Sequence, residues 1–449
     1  MVEAIVRDIK LLEMGLWQES DLVIEGGKIV GREAVGLSAK TEIDGAGAYC
    51  FSGAVDLHVH FNEPGRTDWE GFETGSSSAA AGGVTYVADM PLNNLPSTVN
   101  VAALEEKLAA VSKKTYVDFG LWGGVVPGNA EHLVPLAEAG VMGFKAFMSP
   151  SGNNAFDNSD QQTLRDAMQR IAPTGLRLAL HAEDPDVLDA AAAALPSRES
   201  AVDWLASRPV QSEISAVSMA IELSIETGCP ITIVHVSAPE VLEVIHDAQE
   251  KGVDLVCETC PHYLLLSSEE AESVGPNAKC APPLRPPATV EAMLDMLVSH
   301  GIDTIGSDHS PSSPDLKDGK SFYDAWGGIS GIQHGLPFLI DLFSLGDSER
   351  LQSLQDAFAT TPADLIGLAN KGRLSLGSDA DFFLVEALDT QHAVKSAELL
   401  YRHPISVYLG FDLELAIRQT WLRGSPVIVD GRVVGLPRGR FIAGQAFKK

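Results

Sequence analysis

From about residue 51 to residue 310 the chain repeats one alternation. A short, nearly continuous apolar run is followed by a longer stretch with apolar residues every three to four positions. The runs fall at 55–61, 84–90, 117–126, 143–148, 176–183, 231–237, 254–259 and 303–308. Runs this short fit strands buried on both faces, whereas the intervening segments, such as 101–112 and 212–227, carry the spacing of amphipathic helices, often closed by glycine. Eight strand–helix units over roughly 320 residues is the arithmetic of a (β/α)8 barrel. A doubly wound open sheet is the alternative.

The two ends have a different texture. Residues 21–24 are an apolar run, Gly26-Gly27 is a turn pair, and 28–30 resume an extended pattern. Near the other end, 381–386, 416–422 and 427–429 precede the turn Asp430-Gly431. These patterns predict an α/β protein: a barrel over 51–370 and one small β-sandwich domain built from 1–50 and 371–449.

Composition narrows the partners. With 32 Lys+Arg against 61 Asp+Glu the net charge is −29, which opposes binding to nucleic acid or an anionic membrane. No stretch approaches the ~18 apolar residues of a bilayer span. The N-terminal residues lack the charged-then-apolar layout of a secretion signal, and five scattered cysteines do not suggest a disulfide framework. A soluble, cytoplasmic protein is expected.

In a (β/α)8 barrel the reactive groups gather at the C-terminal ends of the strands. Those ends here carry His58, His60, Lys145, His181, His235 and Asp308. His58 and His60 are two apart on a strand, so both imidazoles face one way and can share a metal. Alone, such a pair could equally be polar or core residues; His181 and His235 at other strand ends favour the metal. Lys145 sits in the apolar run Gly143-Phe144-Lys145-Ala146-Phe147-Met148, where burial favours the neutral amine. It could snorkel or pair with an acid. As a neutral amine it could instead capture carbon dioxide, and the resulting carbamate would bridge two divalent metals. The charges suit this: +4 from the metals, less one each for carbamate, Asp308 and a bridging hydroxide. Such a centre polarises a carbonyl and supplies hydroxide at neutral pH. Asp308 is either a turn residue or the acid that binds one metal and takes the proton of the attacking hydroxide. His309 should point the other way. Cys257-Glu258-Thr259-Cys260 lies in a barrel strand without thioredoxin-like context and reads as structural, as does His262.

Together these residues resemble the cyclic amidohydrolases, the dihydroorotases, hydantoinases and allantoinases, over nearly the whole chain. The resemblance implies metal ligation by His58, His60, carboxylated Lys145, His181, His235 and Asp308. Dihydroorotases carry H-x-H-x-R and further polar groups that clamp a substrate carboxylate; the matching positions here are Asn62, Leu92 and Ala281. Hydantoinases keep a Tyr five residues after the bridging Lys, where this chain has Pro150. Allantoinases show a pattern close to Glu63-Pro64-Gly65-Arg66, Met90-Pro91-Leu92-Asn93, Cys257 to Tyr263 and Ala325-Trp326-Gly327-Gly328-Ile329. That likeness implies hydrolysis of allantoin to allantoate by two divalent ions, zinc first and cobalt or manganese as alternatives, in a homo-oligomer, tetramer favoured. Asn93, Ala281, Ser310, Trp326, Gly327 and Gly328 are the expected substrate contacts, with Asn94 a further candidate for the ureido arm.

Overall fold

The computed structural model describes residues 1–447. Eight parallel strands occupy the eight apolar runs: Ala54–Val59, Val84–Asp89, a third strand broken at Trp122 into Asp118–Leu121 and Gly123–Gly124, then Phe144–Phe147, Leu178–His181, Ile231–Ile233, Leu255–Thr259 and Thr304–Ile305. Each pairs with the next in chain order, the two halves of the third strand serving the second and the fourth. The eighth meets the first through a parallel bridge between Val59 and His309, where the His60 N–H donates to the His309 carbonyl at 2.8 Å. The ring is thereby closed, and a parallel ring puts every C-terminal strand end on one rim.

The strands are apolar on both faces, as the runs require. Leu178, Leu180, Ile231 and Ile233 pack with helix residues such as Leu164, Val217 and Val241 in the main core. Val55, Leu57, Tyr86, Ala88, Ala179 and Val234 form a second cluster with Ala363, Ile366 and Leu368. Helices Val101–Val111 and Val210–Thr227 cover the spans that the 3.6-residue spacing predicts.

The termini build a separate eight-stranded, largely antiparallel sheet from Val2–Glu13, Leu16–Glu25, Lys28–Gly31, Ala39–Ser52, Phe382–Ala393, Asp412–Leu422, Ser425–Val429 and Arg432–Val433. Both expected turns sit at hairpins. Gly26-Gly27 and Asp430-Gly431 have positive φ at both central residues (60° and 74°; 49° and 72°), the geometry a two-residue hairpin needs to match strand twist. This sheet is tied to the barrel at the foot of the third strand. The buried Lys371 ammonium meets Asp381 at 2.6 Å, Asp118 at 2.8 Å and Asp379 at 3.2 Å. Burial pushes that lysine down, but the three carboxylates outweigh it and hold it well above its ordinary range. Residues 440–444 then run along the unpaired edge of the third strand, the Ile442 N–H donating to Phe119 at 2.8 Å. Among the described residues no helix is long and apolar enough to cross a membrane.

Candidate active site at the barrel rim

The strand-end residues meet on the rim. Asp308 Oδ1 lies 3.3 Å from His58 Nε2 and 3.2 Å from His60 Nε2, and ligand-type atoms of these three residues fall within 4.8 Å of one another. The His235 ring is 5.6 Å from that of His58 and 4.6 Å from that of His181. Lys145 lies fully buried below, its Nζ without a hydrogen-bond partner and 5.1 Å from the Phe147 ring, which stacks on His181. His235 and Asp308 hold left-handed φ of 45° and 44°. Such backbone strain costs about 1–3 kcal/mol per residue and persists where surroundings over-determine it, commonly at functional sites.

Electrostatics leaves these groups in ligand form. Burial depresses His60, His181 and His235 below the ordinary histidine value, so each imidazole stays neutral with a free lone pair. Burial pushes the Asp308 carboxyl up, but the imidazoles of His58, His60 and His235 outweigh it and hold it well below the usual range. Burial lowers Lys145 to about 8, with Asp308 and Glu258 opposing, which leaves an appreciable fraction of free amine near neutral pH. Neutral imidazoles, one carboxylate and an unpartnered amine fit divalent ions with nitrogen and oxygen ligands.

Two carboxylates that the strand-end pattern passes over fix the imidazoles. Glu258 Oε1 stands 2.6 Å from His58 Nδ1, and Glu183 Oε2 stands 2.7 Å from His181 Nε2. An ionised carboxylate only accepts, so the proton lies on the bonded nitrogen and the opposite one is free for a metal. Glu258 was hidden inside the apparent C-x-x-C; the signal that could have found it is a carboxylate one position before the end of a barrel strand. All five cysteines are free and buried, and burial raises Cys257 and Cys260 well above the ordinary thiol value, so redox exchange has no support there. Glu258→Ala should cut metal affinity and turnover by about 10- to 100-fold, the usual cost of losing such a support. Metal titration beside kcat/KM checks this, and a change below threefold in both would make Glu258 irrelevant to His58.

Above the donors opens a cavity of ≈ 310 Å³. Asn93, Ala281, Ser310, Trp326, Gly327 and Gly328 all line it, together with Leu92 and Pro150. Asn94 does not. Its side chain is spent on Pro96, Thr98 and Lys107, so it anchors the loop rather than facing a ligand. His309 is buried, with Nδ1 accepting from the Gly331 N–H at 3.3 Å, and His262 is buried away from the cavity wall. Cavity residues that strand-end reasoning could not reach include Trp204, Arg208, Lys279, Lys320 and Asp324, all on connecting loops and helices.

A closed parallel barrel with imidazoles, a buried amine and a carboxylate converging under a rim cavity defines an α/β-barrel hydrolase centre. Residues 49–434 match the amidohydrolase family. The chain is 44% identical over 412 residues to an allantoinase of Rubrobacter xylanophilus, covering 91% of this chain and 90% of that one. It is 42% identical to an allantoinase of Bacillus velezensis, over 96% and 94% of the two chains. Among solved structures it is similar to an L-hydantoinase (dihydropyrimidinase) from Arthrobacter aurescens, with TM-score 0.94, 31% identity and coverage of 99% and 100%. A dihydropyrimidinase from Brevibacillus agri superposes with TM-score 0.89 at 25% identity, over 99% of both chains. The chain belongs to the amidohydrolase family and is a hydrolase of amide bonds.

Proposed function

We propose that this enzyme hydrolyses the ring amide of allantoin to give allantoate. The observation that carries this reading is the cavity itself: His58, His60, His181, His235 and Asp308 line it with Lys145 buried beneath, and the uncharged Leu92 and Ala281 stand in its wall where a carboxylate clamp would lie, Asn62 being uncharged too. The allantoinase relatives support the same substrate.

His58, His60, His181, His235, Asp308 and Lys145 as its carbamate would hold two divalent ions, zinc first, with cobalt or manganese as alternatives. The fully buried Lys145 Nζ, which no protein group satisfies, supports that assignment, because a carbamate would give it partners. Bound there, such ions supply polarisation of the ring carbonyl and activation of water at neutral pH. Asp308 accepts the proton of the attacking water and returns it to the leaving ring nitrogen as the base and acid of the reaction. Ser310, Asn93 and the main chain at Ala281 and from Trp326 to Gly328 orient the ring. A homotetramer in the cytoplasm belongs to the same reading, and light scattering tests the subunit number.

A second reading, hydrolysis of simple hydantoins, draws on the similarity to the Arthrobacter hydantoinase. Incubating metal-loaded protein with allantoin and with hydantoin, and following ring-opened product by chromatography, separates the two. Faster opening of allantoin is expected; no turnover of allantoin beside rapid opening of hydantoin would favour the second.

A further inference from the structure

We propose that Arg208 reads the ureido arm of the substrate, offering the free edge of its guanidinium to the arm's carbonyl oxygen. This rests on allantoin being the substrate. Arg208 lies on the short loop between helices Ala201–Ala206 and Val210–Thr227, in the cavity wall, with its side chain 15% exposed.

Its position is fixed from several sides. Nη1 donates to the Glu183 carboxylate, and Cζ lies 4.5 Å over the Trp204 ring. The Arg208 carbonyl accepts from Arg285 Nη1 at 2.8 Å, and Arg285 is itself held by Glu213 at 2.7 Å and Ser237 at 2.9 Å. The Trp204 indole N–H donates to the Cys280 carbonyl at 2.8 Å, so the stacking platform is fixed too. Once these bonds are made, Nε and Nη2 meet no protein acceptor among the described residues. A planar donor edge already immobilised on a cavity wall binds an acceptor without the usual loss of side-chain freedom.

The chemistry of the acceptor follows from charge. Glu183 neutralises Arg208, so the edge provides N–H donors without net positive charge. That suits the oxygen of an uncharged urea; a carboxylate brought to the same edge would also face Glu183. The neighbouring Lys279 is a less preorganised donor: two of its three N–H groups are engaged by the Tyr323 and Ala325 carbonyls, and it presents no planar edge. The same Glu183 oxygen meets His181 Nε2, so one carboxylate sets the separation between the arm-binding group and the reacting end.

Steady-state kinetics of the metal-loaded enzyme and its Arg208→Lys variant, with allantoin and with hydantoin, test this. Lysine keeps a cation beside Glu183 and loses the planar edge. The expected result is a KM for allantoin raised about 10- to 100-fold with kcat within about threefold, while kcat/KM for hydantoin, which has no arm, stays within about threefold. Metal content should not change. A purely supporting role through Glu183 and His181 would instead depress both substrates equally, and that outcome overturns the assignment. A readout independent of any variant is the unmutated enzyme on 5-propylhydantoin, whose arm has similar length and no carbonyl. Its KM should exceed that for allantoin by at least ~10-fold, and equal values overturn the proposal. An unmutated enzyme that opens hydantoin and ignores allantoin would remove the substrate reading, and this inference with it. Turnover of allantoin with an equal loss on both rings removes the Arg208 assignment alone.

Discussion

Lys145→Ala should reduce turnover by at least ~10³-fold and strip the protein of bound divalent metal. The figure follows from removing metal-ion catalysis worth several kcal/mol, at 1.36 kcal/mol per factor of ten. Lys145 is 0% exposed, and its Nζ has no hydrogen-bond partner. An ammonium left there would be a buried, unsatisfied charge, which proteins rarely keep. Burial lowers the amine to about 8, so about a tenth of it is free at pH 7, far more than for an ordinary lysine, and can react with carbon dioxide. The carbamate would be an anion beside His181, His235 and Asp308. Its loss should be partly repaired by formate, acetate or propionate, which can occupy the space left by the lysine and restore a bridging carboxylate. Bicarbonate added while metal is reloaded should raise the activity of the unmutated enzyme. Near-normal turnover in Lys145→Ala would exclude the bridging role.

Allantoin should be favoured over dihydroorotate by at least ~10³-fold in kcat/KM, because a site rejects a substrate whose polar groups it leaves unpaired by such factors. Asn62 is buried with φ 63°, and its amide donates to the Pro311 carbonyl at 3.0 Å, so it is committed to the loop. Leu92 and Ala281 line the cavity without a charged or donor side chain. The basic groups nearby do not substitute for a clamp. Arg208 is paired with Glu183, Lys279 has two of its three N–H donors held by carbonyls, and Lys320 is solvent-exposed, where screening makes an ion pair worth ~0–1 kcal/mol. A carboxylate entering the cavity would lose its water and meet no free bidentate partner, a penalty of several kcal/mol. Allantoin is uncharged at pH 7 and avoids it. Competition between the two substrates at one pH decides the matter, and equal turnover of dihydroorotate would mean that the clamp lies elsewhere.

The eight strands were legible because a strand buried on both faces is a nearly continuous apolar run; the histidines and Asp308 fall towards or just past the C-terminal ends of their strands, and Lys145, the second residue of Phe144–Phe147, is the cation set inside one. The hairpin turns were legible for a local reason as well: Gly26-Gly27 and Asp430-Gly431 suit positive φ at both positions. What escaped depends on contacts distant in sequence. Glu183 is two residues past His181, yet its role appears only when Arg208, 25 positions later, closes on it. Glu258 supports a histidine 200 residues earlier. Asn93 and Asn94 are chemically identical neighbours, and only the fold directs one to the cavity and the other to Lys107, Pro96 and Thr98. The break in the third strand at Trp122, and the chain end that lies along its free edge, carry no local signature.

Two divalent ions per chain are the centre of this account, and elemental analysis of the purified protein after saturation with zinc, cobalt or manganese and removal of free metal tests them most directly. A stoichiometry close to two, falling with loss of activity in Lys145→Ala, is the predicted result; a value that stays at or below one in an active enzyme would contradict it.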